Sequence, residues 1–265
     1  MIINFKKMKI IFAVLLVFLT SLAQAKDVDV VFSGYKSPYV ILNNDAAIFT
    51  GDKKGMEVDI VSEALKIAGF SLRERQLEPS KLKKELRDNK RIEAASGVNR
   101  VRDKFYYSQV VNRLEIVAIT KSKNNIDIET VSDIAPYTIG ARQGLYSALG
   151  KEFRKRHHPR RGALKERYFE YVDYSYQVSD FFNDEVEVLL IDIDAFNYHQ
   201  EMQRRDGVDD EVDIHRVFPT EIWQYVAFKN KKLRNKFDKA LDMLKYEGTY
   251  KNSIEFYKNY FNKEN

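Results

Sequence analysis

Apolar and polar positions follow two different periods along this chain, and the change of period marks its elements. Residues 27–34, "DVDVVFSG", alternate and are rich in valine, which predicts an opening β-strand; "YKSPYVI" then reads as a turn leading back into extended chain. Over "GMEVDIVSEALKIAGF", residues 55–70, the period becomes helical, with Val58, Val61, Ala64, Leu65 and Ala68 on one apolar face. Glu57 and Asp59 fall at the start of that helix, where unpaired N–H groups and the macrodipole favour carboxylates, and Gly69 followed by Phe70 reads as its stop. Both acids are therefore expected to support the helix rather than to act chemically.

Downstream, "SKLKKELRDNKR" predicts a second, highly charged helix and "IEAASGV" a short strand entering a loop. "LEIVAITKS", "YTIGARQ" and "VEVLLIDI" read as further strands, dense in β-branched residues. The last third predicts helices, with Phe237, Ala240, Leu241 and Leu244 as one stripe and Gly248 as a break. Strands alternating with helices define an α/β fold. The chain shows neither an internal repeat nor a Pro/Gly-rich linker, so a division into lobes has to be made by strands that cross between them.

The first 25 residues change the picture. Lys6, Lys7 and Lys9 precede an apolar run from Ile10, and Ala23-Gln24-Ala25 closes it, the layout of a secretory signal peptide cleaved after Ala25. The run is short for a membrane span. The formal charge of +5 includes those three lysines, so the cleaved chain carries +2, a balance that gives no reason to expect a nucleic-acid partner. Cysteine is absent, which excludes disulfides, thiolate metal sites and a lipidated cysteine, and a bacterial periplasm is the compartment expected.

Sequence signatures of catalysis are missing: there is no G-x-S-x-G, H-E-x-x-H, P-loop or G-x-G-x-x-G. His157, His158, His199 and His215 are not spaced for a zinc site, and neither metal nor cofactor is expected. The basic run "RKRHHPRRGALKER", residues 154–167, reads as a solvated surface or as a docking patch for a membrane protein. Tyr35 and Tyr39 flank the turn after the first strand, where open α/β sheets present ligand contacts. Arg100 and Arg102 follow the strand ending near Gly97, as carboxylate clamps or as surface arginines. Asp192 and Asp194 follow "VEVLLI", either to meet a ligand ammonium or to cap the next helix.

Taken in order, these pieces resemble the bacterial extracellular solute-binding proteins of family 3, the polar amino-acid binders of ABC transporters. "SPYVILNN" is similar to the family's aromatic-bearing turn and "GMEVDIVSEALKIAGF" to its glycine, acid, acid and helix. "RDKFYYSQVV" resembles the segment around its arginine, "VSDIAPYTIGARQGLYSALG" the entry into the second lobe, and "VEVLLIDIDAFNYH" the strand bearing its amine-binding aspartate. The segment from Tyr225 to Phe261 resembles the return to the first lobe. The resemblance implies a two-lobe, type II periplasmic binding protein fold, its lobes joined by two crossing strands and closing on the ligand by a hinge. It divides the chain into signal peptide (1–25), lobe one (26–119), lobe two (120–216) and a lobe-one return segment (217–265). It also implies that Tyr39 covers the ligand, that the backbone of Gly97, Val98 and Asn99 with Arg102 holds a carboxylate, that Gly144 and Leu145 add N–H groups, and that Asp192 holds an α-ammonium. Met56 and Leu65 are slightly off the family's pattern, and the chain departs from it further in two places. Its loop from Gly97 to Ser108 is short, leaving Arg100 a rival to Arg102, which is preferred for its place just before "DKFYYS"; Leu145 stands where the family often has threonine or serine.

The function expected from the resemblance is capture of a small polar solute, an amino acid or close relative, by a monomeric protein that delivers it to a membrane permease. Two other classes remain: a ligand-responsive module docking on a membrane sensor, and a dehydratase-type enzyme on the same fold.

Overall fold

A computed structural model describes residues 25–41, 53–218 and 221–261. The expected signal peptide, apart from Ala25, and the last three residues of "SPYVILNN" lie outside them. Two sheets organise the described chain. The first has the order β2-β1-β3-β11-β4, with β5 also paired to β11; the second has the order β10-β6-β9-β7-β8.

In the first sheet β1 (Lys26–Ser33), β2 (Phe70–Leu77) and β3 (Ala94–Val98) run parallel, while β11 (Ile222–Phe228) returns antiparallel beside β3, β4 (Tyr106–Tyr107) and β5 (Asn112–Leu114). In the second, β7 (Ile139–Arg142) runs parallel to β8 (Tyr168–Tyr171) and β9 (Val188–Asp192), and β6 (Ile116–Lys121) is antiparallel to β9 and to β10 (Val212–His215). Every residue of β6 and β9 is buried, as continuous apolar runs in central strands require.

The chain passes from the first sheet to the second at Glu115, inside the short step from β5 to β6, and back between β10 and β11. The expected boundary at 119/120 falls within β6. Sheet membership therefore changes at 115, because strand pairing and not the apolar run decides it. Arg216, just after β10, is paired to Glu115 at 2.9 Å.

Helices cover the sheets. α1 (Met56–Ile67) buries Val58, Ile60, Val61, Ala64 and Leu65; α2 (Leu82–Asp88) buries Leu82 and Leu86. α3 (Lys151–His157), α4 (Tyr174–Phe182) and α5 (Ile193–Arg205) belong to the second lobe. α6 (Lys231–Tyr246) buries Leu233, Phe237, Ala240, Leu241 and Leu244, the predicted stripe extended by one turn, and Asn230 caps it by accepting from the N–H groups of Lys232 and Leu233. α7 (Thr249–Phe261) follows Gly248 and packs against α1, α5 and α6. The basic run 154–167 is largely exposed, but His157 turns inward and stacks on Phe153 with ring centroids 4.2 Å apart. Among the described residues no helix is long and apolar enough to cross a membrane.

Candidate functional site between the lobes

The first-lobe wall is built at the turn after β1. Gly55 has φ +111°, and a Cβ there would lie 2.4 Å from the Tyr39 carbonyl oxygen, so only glycine lets α1 start against this turn. The close approach has a use. The Met56 and Glu57 N–H groups donate to the carbonyls of Pro38 and Tyr39, each at 3.0 Å, and these carbonyls rather than the acids satisfy the first orphan donors of the helix. Asp59 holds the Tyr257 hydroxyl of α7 at 2.7 Å.

Glu57 is fully buried, and its carboxylate lies behind the cavity wall. Lys36 Nζ lies 3.0 Å from its Oε2, and Ser96 Oγ donates to its Oε1 at 2.7 Å. Glu57 stands in the first turn of α1 as expected, and it also neutralises a buried lysine. Gly97 crosses directly above with φ +69°, where a Cβ would sit 2.8 Å from Glu57 Oε1. Gln224 of β11 completes the wall: its Oε1 accepts from Lys36 at 3.4 Å and its Nε2 donates to Asn99 Oδ1 at 2.9 Å.

The second-lobe wall is formed by the carboxyl ends of β7 and β9. Asp192 ends β9 and serves as N-cap of α5, accepting from the Ala195 N–H at 3.2 Å through Oδ1. The Tyr39 hydroxyl, from the other lobe, donates to the same oxygen. Asp192 Oδ2 is buried without a hydrogen-bond partner. Burial first, and then the charge of Asp194, push the Asp192 carboxyl up to about 7, against the opposing effects of the Tyr39 and Ala195 hydrogen bonds and of Lys36. Asp194 is itself paired with Lys258 of α7 at 2.8 Å.

Arg142 ends β7 and reaches across to the first lobe. Its Nη2 donates to Ser33 Oγ at 2.7 Å and to the Gly34 carbonyl at 3.3 Å, its Nη1 donates to the Tyr35 carbonyl at 3.2 Å, and its guanidinium carbon lies 4.6 Å from the centre of the Tyr174 ring. His199 packs edge-on to Tyr174, and burial pushes its imidazole down to about 3, so it is uncharged at neutral pH.

Together these walls enclose a cavity of about 360 Å³. Of the residues named from the sequence, Gly97, Val98, Asn99, Gly144, Leu145 and Asp192 line it, and Tyr39 lies behind Asp192. The Gly144 N–H is engaged by Glu170 at 2.6 Å. Arg102 and Arg100 are placed elsewhere, exposed around a second cavity of about 520 Å³ with Tyr106, Tyr107 and Arg234. Lys36, Arg142 and Gln224, all on the cavity wall, were not singled out from the sequence. The carboxyl-end rule that drew attention to Asp192 applies equally to Arg142 at the end of "YTIGARQ", and Lys36 stands between the two tyrosines already noted.

No family model and no curated protein matches the sequence. Solved structures do match its fold. The arginine-, lysine-, histidine-binding protein ArtJ from Geobacillus stearothermophilus superposes with a TM-score of 0.68 at 15% identity, covering 88% of this chain and 95% of its own. A substrate-binding protein of an ABC uptake transporter from Streptococcus pneumoniae, with bound histidine, gives 0.67 at 19% identity over 87% and 92%. GshT, described with glutathione import and the cystine ABC importer TcyBC of Streptococcus mutans, gives 0.70 at 15% identity over 89% and 96%. The chain therefore has the two-lobed, type II fold of the amino-acid-binding proteins of ABC transporters.

Proposed function

We propose that this chain is a periplasmic solute-binding protein that captures a small polar solute, an amino acid or close relative, between its lobes and delivers it to an ABC-type permease. One observation carries the reading: a fully buried carboxylate, Asp192, lines the interlobe cavity and keeps one oxygen without a hydrogen-bond partner. A buried carboxylate oxygen left in that condition is costly, and a ligand ammonium supplies both the charge and the donors it lacks. In this reading Tyr39 fixes the other oxygen, while Gly97, Asn99 and Leu145 shape the walls. The proteins of similar fold that are described with bound arginine, histidine or glutamine support the same class of ligand.

No bond chemistry is assigned to the cleft. A base is not available from His199, which packs against Tyr174 and is uncharged for want of water rather than poised near neutrality.

Thermal unfolding of the purified protein against a panel of amino acids, amines and dicarboxylates tests the proposal. A ligand at about 1,000 times its dissociation constant adds about 4 kcal/mol of stability. At least one α-amino acid is expected to raise the midpoint, and Asp192→Ala to abolish the rise. A panel without effect on the wild type rejects the amino-acid reading.

A further inference from the structure

Two charged side chains of opposite sign line the interlobe cavity without an ionic partner. Asp192 is held by a tyrosine hydroxyl and a backbone N–H, both neutral. Among the described residues Arg142 is held by a serine hydroxyl, two backbone carbonyls and the Tyr174 ring, also neutral. The other cations on the wall are already matched: Lys36 by Glu57 at 3.0 Å and Lys83 by Asp103 at 3.5 Å. A buried charge such as that of Asp192 is normally paired, and with the half-buried Arg142 the two left over mark where a ligand's own charges belong.

Their spacing is set by the sheet. β7 and β9 are parallel neighbours, paired Gly140 with Leu189 and Ala141 with Leu190, and continuing this register places Arg142 beside Ile191, one residue before Asp192. The guanidinium and the carboxylate thus emerge from the carboxyl ends of adjacent strands into one cavity, yet form no ion pair with each other. The contacts of Arg142 to the first lobe do not exhaust its donors, and it keeps part of its surface exposed. Arg102, the residue whose family resemblance gives it the clamp, lies around the other cavity.

We infer that Arg142, at the end of β7, is the residue that binds the ligand's carboxylate, and that with Asp192 it forms a two-pole site for a zwitterion whose side chain is uncharged. The inference rests on the solute-binding reading. Once the two poles are matched, the remaining wall offers no unpaired charge to a charged side chain; its apolar Leu82, Val98, Leu114, Ile116 and Ile222 stand among the neutral Ser80, Asn99, Gln143 and Gln224. Because Arg142 also binds the first lobe's backbone, a carboxylate seated on it joins a contact that already spans the cleft.

The test compares ligands and variants by calorimetry and thermal shift. The probes are L-leucine, L-phenylalanine, L-glutamine, L-arginine and L-glutamate, with the decarboxylated amine of whichever binds most tightly. An uncharged amino acid is expected to bind best, and loss of its carboxylate to weaken wild-type binding about a hundredfold. In Arg142→Met that discrimination falls below about tenfold, and in Arg102→Ala it stays at the wild-type level. Full discrimination in Arg142→Met, its loss in Arg102→Ala, or preference for arginine or glutamate overturns the inference while leaving solute binding intact. If Arg142→Met does not fold, Arg142→Lys decides: at least a tenfold loss of discrimination supports the assignment and an unchanged value overturns it. A wild type stabilised by none of the amino acids overturns the solute-binding reading itself, and the inference falls with it.

Discussion

Asp192 links the stability of the fold to pH. Its folded-state pKa of about 7 lies above the ordinary carboxylate value near 4, because burial and Asp194 oppose its charge. A raised pKa means that its stabilising contribution is complete below about pH 4 and is lost as pH rises through about 7. Relative to Asp192→Asn, the wild type is expected to lose up to about 1.4 kcal/mol per pH unit between about pH 4 and 7, and to run parallel above that. Urea unfolding of both proteins across this range checks it. A wild type that instead gains on the variant with rising pH contradicts the assigned environment. The sequence placed this aspartate at a strand's carboxyl end and left its role open between cap and ligand contact. Folding makes it the cap of α5 through Oδ1 and leaves Oδ2 buried without a partner, the oxygen that the proposed site gives to a ligand.

Among the elements, α1 is the one whose sequence pattern was clearest and whose chemistry was least legible. Its apolar face and its closing glycine follow from period and composition. The fate of Glu57 does not, since Lys36 and Ser96 reach it from distant segments. Glu57→Ala leaves the Lys36 ammonium buried and unpaired, and is expected to cost about 3–5 kcal/mol in chemical unfolding. A loss below about 1 kcal/mol would place Glu57 with ordinary exposed helix-start acids. Gly97→Ala forces a methyl against Glu57 Oε1 in a left-handed conformation, and about 2 kcal/mol of destabilisation is expected, with weakened ligand binding because the same backbone lines the cavity. The charged helix α2 was legible in its core: it packs Leu82 and Leu86 and leaves Lys84, Arg87 and Asp88 exposed, but it ends before the predicted "NKR", and Lys83 turns to Tyr107 and Asp103.

For the whole molecule, the two lobes touch through named side chains. Tyr39 meets Asp192, Lys258 meets Asp194, and Arg142 meets the backbone after β1. Only the short passages at Glu115 and at 216–221 join them covalently. α7 also packs on α5 across the same interface, and the pair of narrow connections beside it permits hinge motion. Small-angle scattering is expected to show the radius of gyration falling when a binding amino acid is added to the wild type. No change at saturation would assign the cleft to a rigid, preformed state.

The sequence by itself determined the local elements and the class of fold. Period, glycine position and strand composition act over a few residues, and six family-like segments in order extended them to two lobes. It also carried Tyr39 and Asp192, because each lies beside an element end that can be read locally. Tertiary structure alone decided the pairing of charges. Whether an arginine faces a ligand or solvent depends on which strands become neighbours and what they enclose. Arg102 and Arg142 look alike in the sequence, and only the register of β7 on β9 brings one of them level with Ile191, next to Asp192 in the chain.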